Sequence, residues 1–185
     1  MRVRPVLRFL TVAIVLIYPL AIWLGQGQLE PRYLALLLLL VALFRLSMVK
    51  SDRGWAWWTG GTLLLFALTL WVNAPLPLKL YPVLVNAGLL GLFSYSLVVP
   101  PTVIERIARA RDADLPAAAV LYTRRVTQVW CVFFAVNGII ALITALWTPA
   151  LVWTIYNGLI AYVLMGLLFA GEYCVRWRFK RRHHA

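Results

Sequence analysis

Few side chains in this chain could do chemistry, and they are scattered. The histidines, His183 and His184, are neighbours in a basic C-terminal run, and the cysteines, Cys131 and Cys174, fall inside apolar blocks. Two cysteines alone make no zinc site, and a disulfide framework belongs to a different class of chain. There is no His-x-x-x-x-Asp pair, nucleophile elbow, phosphate loop, dinucleotide fingerprint or Cys-x-x-Cys. The expectation is therefore no catalytic residue, no metal and no cofactor. Four polar residues inside apolar blocks stand out instead. Glu172 is either a proton or substrate site or the partner of Arg176, one helical turn on. Asn86, Asn137 and Asn157 each adjoin a small residue, in Asn86-Ala87-Gly88, Asn137-Gly138 and Asn157-Gly158. A bare amide in lipid is costly, so each should face another helix. There it forms an interhelical hydrogen bond, worth about 0.6–2 kcal/mol, or lines a ligand cavity. The pair Gly88 and Gly91 and the pair Gly166 and Gly171 read as packing faces.

The elements that must position these residues are membrane spans. Of 185 residues, 63% are hydrophobic and only 13% are charged, too little charge to cover a soluble surface. The apolar residues come in long blocks, which suit helices that are apolar all round and bathed in lipid. The fold class expected is all-α: one membrane domain over 1–185, with about six spans near 9–24, 33–49, 55–72, 80–99, 126–146 and 152–174 and a basic tail over 175–185. The second span is interrupted near its end by Arg45, a side chain long enough to reach the headgroups; the alternative is a segment that inserts only halfway. The first span follows Arg2 and Arg4 as a signal peptide would, but no small-x-small cleavage site follows it, so it reads as retained.

Charge sets the orientation. Six spans put Arg2, Arg4, Arg8, Arg45, Lys50, Arg53, Arg106, Arg109, Arg111, Arg124, Arg125, Arg176, Arg178, Lys180, Arg181 and Arg182 on one side. The other side receives Arg32 and Lys79 alone. Sixteen against two places both termini in the cytoplasm. The net charge of +12 is thereby explained by topology, not by nucleic acid. Tryptophans 23, 55, 57, 58, 71, 147, 153 and 177 lie near span ends, as interfacial anchors do, and Trp147-Thr148-Pro149 makes a tight outer hairpin.

The one long connection, over 100–125, is cytoplasmic. Pro100-Pro101 stops the fourth span, and Thr102-Val103-Ile104-Glu105 has the capping-box form. Val103, Ile104, Ile107 and Ala108 then share a face. An amphipathic helix over 102–111 is expected on the inner leaflet, with Glu105, Arg106, Arg109 and Arg111 outward. Pro116 starts a second helix that runs on into span five.

Two resemblances rest on these residues. Lys79-Leu80-Tyr81, Ile104-Glu105-Arg106, Trp130-x-x-Phe133-Phe134-x-x-x-Gly138 and Ala145-x-Trp147-x-Pro149-x-x-x-Trp153 resemble the bacterial intracellular septation protein A family over about 33–175. The N-terminal span and the longer, Ala-rich 4–5 loop depart from that pattern. A second group looks more similar: small, uncharacterised bacterial inner-membrane proteins encoded among fatty-acid-like synthases, including those for aryl polyene pigments. Tyr81-Pro82-Val83-x-x-Asn86, Pro100-Pro101-Thr102-x-Ile104-Glu105-Arg106, Tyr122-x-Arg124-x-Val126-Thr127 and Trp130 carry that likeness. The resemblance implies an accessory protein of the inner membrane and supplies no catalytic residues.

The leading expectation is a non-enzymatic scaffold for envelope or lipid-like synthesis. Arg106, Arg109, Arg111, Arg124 and Arg125 would meet anionic headgroups, an acidic acyl carrier protein or another membrane protein. The alternative is a small transporter or flippase for an amphipathic, lipid-like molecule, which would need a homo-oligomer to enclose a path. A membrane enzyme acting on an acyl chain is the remaining class.

Overall fold

A computed structural model describes residues 53–72, 74–110 and 113–183, together with Leu36 and Leu39. The first expected span, the second apart from Leu36 and Leu39, and Arg111 lie outside the described residues. Among the described residues every regular element is helical and there is no strand. In order they are α1 (Arg53–Val72), α2 (Leu76–Lys79), α3 (Tyr81–Val98), α4 (Val103–Arg109), α5 (Ala117–Trp147), α6 (Ala150–Ile155), a π-helical turn (Tyr156–Ile160) and α7 (Ala161–His183).

Three helical stretches are long and apolar enough to cross a membrane: Leu76–Val98, Ala117–Trp147 and Ala150–Val175. They coincide with the expected spans four, five and six, and α1 adds a shorter apolar stretch, Gly60–Val72. The chain is built as a membrane protein. Val132, Val136, Ile139, Leu159, Val163 and Leu167 all face outward. Such an apolar exterior is tolerable only where the surroundings are apolar too.

Local sequence accounts for the element ends. Pro100-Pro101, joined by a cis bond, follows α3 and denies it the next N–H donors. Pro149 likewise stops the chain from continuing α5 and serves as the N-cap of α6. α5 starts directly after Pro116, as expected, and runs unbroken for 31 residues.

α3 and α5 form the most extensive pair, with α1 and α2 against α3 and the short α4 against α5. The interior divides along the axis. Toward the Trp147 end, Leu65, Leu78, Tyr81, Ala145 and Trp153 make one apolar cluster. Toward the Pro100 end, Phe93, Trp130 and Phe134 make another, with ring centroids 5.2–6.4 Å apart. Phe169 of α7 reaches it, 4.6 Å from Trp130.

The placement of Trp153 and of the glycines differs from expectation. Trp153 is no lipid-facing anchor: it is 0% exposed, and its Nε1–H donates to the Lys79 carbonyl at 3.1 Å. The indole thus holds the junction of α2 and α3. Trp147, by contrast, is 72% exposed at a helix end, as an anchor should be. A π turn lies within the helical stretch Ala150–Val175. Gly91, Gly166 and Gly171, expected in packing faces, are open: a Cβ at any of them would meet nothing within 4 Å. Close approach occurs at Gly61, against Leu84, and at Gly138, against Asn86.

Candidate functional site

The three asparagines are all buried, and each bonds across or along the bundle. Asn137 Nδ2 of α5 donates to Asn86 Oδ1 of α3 at 3.0 Å. Asn137 Oδ1 accepts from the Tyr156 hydroxyl of the π turn at 2.9 Å. Asn86 Nδ2 in turn donates to the Pro82 carbonyl at 2.8 Å. One amide thus ties three helical segments together. Gly138 makes this possible, because a Cβ there would stand 3.1 Å from Asn86 Cβ. The Asn-Gly pairing in the sequence is therefore a close-approach device at this site.

Asn157 forms a second link. Its Nδ2 donates to Thr144 Oγ1 at 3.2 Å and to the Trp153 carbonyl at 2.9 Å. Thr144 Oγ1 donates to the Ala141 carbonyl, and Thr148 Oγ1 to that of Thr144. The π turn carries two neighbouring residues, Tyr156 and Asn157, that both bond to α5. π turns within α-helices are often found where a side chain has a role beyond packing. Below the π turn, the aromatic rings of Trp130 and Phe169 fill the space between α5 and α7.

The basic cluster separates into tied and free members. Thr102 and Glu105 form the capping box: Glu105 N donates to Thr102 Oγ1 at 3.3 Å and Thr102 N to Glu105 Oε2 at 3.4 Å. Arg109 then pairs with Glu105, Nε and Nη2 both 2.9 Å from Oε1, and its Nη1 donates to the Ala113 carbonyl. Val103 N donates to Ser96 Oγ at 3.1 Å. These bonds turn Glu105 inward. Glu105, expected outward, is 6% exposed, while Ile107, expected against the leaflet, is exposed on the protein surface as a leaflet-facing residue would be. A carboxylate held by the Thr102 N–H and the Arg109 guanidinium is satisfied inside.

Arg109 is therefore a staple between α4 and the following loop. Arg106 folds its Nε back onto the Pro101 carbonyl at 2.9 Å. Arg124 and Arg125 are exposed on α5 and have no hydrogen-bond or ion-pair partner among the described residues. Glu172 is half-buried on α7, and its backbone carbonyl accepts from Tyr122 OH at 3.3 Å.

The structure thus gathers Asn86 and Asn137 into one network, sets Asn157 beside it, and keeps Glu172 and the arginines apart from both. Sequence reasoning missed Tyr156, Thr144 and Ser96. Tyr156 stands next to Asn157 in the sequence, so a polar pair inside an apolar span was the available signal. Among the described residues no group of three or more His, Cys, Asp or Glu could hold a metal. Comparison with protein-family models, with curated proteins and with solved structures finds no match to this chain.

Proposed function

We propose that this chain is a six-span bacterial inner-membrane protein with both ends in the cytoplasm, acting as a non-enzymatic accessory or scaffold in envelope or lipid-like synthesis. Its cytoplasmic face recruits an acidic partner, of which an acyl carrier protein is one. The observation that carries this reading is the state of Arg124 and Arg125. They stand exposed side by side near the cytoplasmic end of α5, without a partner among the described residues. Topology does not require them, because eleven basic residues outside the 4–5 loop already set the orientation. Against transport, the buried amides are engaged with one another and with backbone carbonyls. A flippase would have to break that network to pass a polar headgroup.

The test is to replace Arg124 and Arg125 together by Gln and to measure membrane insertion, protein level and the product of the host pathway. Normal insertion with lost product is the expected result. Unchanged product would reduce the pair to a topology signal. Arg109→Gln is the contrast, because it breaks the Glu105 staple and should loosen α4 without removing a recruiting charge.

A further inference from the structure

Two helices outrun the membrane at the same end of the bundle. α5 has 31 residues and is about 46 Å long at 1.5 Å per residue. The run of α6, π turn and α7 has 6, 5 and 23 residues and spans about 50 Å. Hydrocarbon is about 30 Å thick, and a tilt of about 20° shortens each helix by only about 3 Å. The two are joined by the Trp147 hairpin, whose exposed indole suits one interface. The whole surplus, roughly 13–18 Å, therefore emerges at the other end, well past a headgroup layer of about 5–7 Å.

One bond ties the two helices where they emerge: the Tyr122 hydroxyl of α5 donates to the Glu172 carbonyl of the antiparallel α7. Their charge is one-sided. Residues 117–125 carry Arg124 and Arg125, residues 173–183 carry Arg176, Arg178, Lys180, Arg181 and Arg182, and neither stretch contains an acid. Glu172, one residue before the second stretch, and Asp114, three residues before the first, are the nearest acids in sequence. Pro116 gives α5 no side-chain cap, so the positive end of that helix adds to the same field.

We infer that this paired projection is a docking pillar for the acidic surface of a soluble protein. Charge complementarity defines the partner, and reach favours a protein over lipid for the tail residues 178–182, which clear the headgroups, while Arg124 and Arg125 stand at headgroup depth. The inference rests on the proposed reading for the side on which the pillar stands; its existence rests on helix length alone.

The test uses the full chain, with Cys131 and Cys174 replaced by Ala, in phosphatidylcholine nanodiscs. Spin labels at Ala118 and Phe179 should lie about 10–20 Å apart, as packed helices require, and should stay water-exposed when phosphatidylglycerol is added. Fluorescent poly-glutamate should bind and should weaken roughly tenfold from about 50 to about 500 mM salt. It should weaken as much when Arg178, Lys180, Arg181 and Arg182 are replaced by Gln. Labels far apart, or drawn to the headgroups by anionic lipid, would overturn the pillar. Poly-glutamate binding untouched by the tail substitutions would overturn its docking role. A pillar that passes these tests while the Arg124 and Arg125 substitutions spare the host product stands, and the recruiting function proposed above falls.

Discussion

Asn137 is the residue on which the described bundle turns, because its amide both donates to Asn86 and accepts from Tyr156. Asn137→Ala takes the partner from the buried Asn86 Oδ1 and from the half-buried Tyr156 hydroxyl. We expect a loss of about 0.6–2 kcal/mol, measured by reversible unfolding in detergent or bicelles. In a double-mutant cycle with Asn86→Ala, the two losses should not add, since one bond is removed twice; strict additivity would mean that the bond contributes nothing. Gly138→Val should cost at least as much, because the branched side chain would start 3.1 Å from Asn86 Cβ, an atom fixed to the backbone. The corresponding contact at Gly61 is with the Leu84 methyl groups, which can rotate away. Gly61→Ala is therefore expected to be the milder change in the same assay.

At the scale of the element, α4 shows how a helix of seven residues, too short to hold by itself, is kept in place. The capping box satisfies its first turn, the Ser96 hydroxyl supplies a further acceptor, and Arg109 locks the carboxylate that closes the box. Thr102→Ala should cost about 1 kcal/mol through the lost cap. Its signature is faster amide hydrogen exchange across Val103–Arg109 with α5 unchanged. Arg109→Gln should accelerate the same amides, and exchange that is unchanged in both variants would show that packing on α5 alone holds α4. The capping box was legible in the sequence because its two residues are three apart. The burial of Glu105 was not legible, because apolar periodicity assigned it to the outside and could not register that a charge with enough partners is stable within.

At the scale of the molecule, the proposed topology makes a direct prediction. Reporter fusions at Ala185 and at Pro75 should report opposite sides, with Ala185 cytoplasmic; a periplasmic signal at Ala185 would remove the six-span arrangement and the cytoplasmic pillar together. The sequence by itself determined that the chain is a helical membrane protein, where three helices long and apolar enough to cross a membrane lie, and where Pro100-Pro101 and Pro149 break them. These follow from composition and from backbone chemistry: apolar blocks in lipid must bond their own amides, and proline cannot continue a helix. Only the tertiary structure decided which Asn meets which, that Trp153 is a core residue bonded to Lys79, and that Gly138 is a contact while Gly91 is not. It also decided that a π turn presents both Tyr156 and Asn157 to α5. A span that is apolar all round carries no periodic stripe to reveal its facing side. The rotation of each helix is therefore set by its few polar atoms finding one another across the bundle, a pairing between residues as far apart in sequence as Asn86 and Asn137.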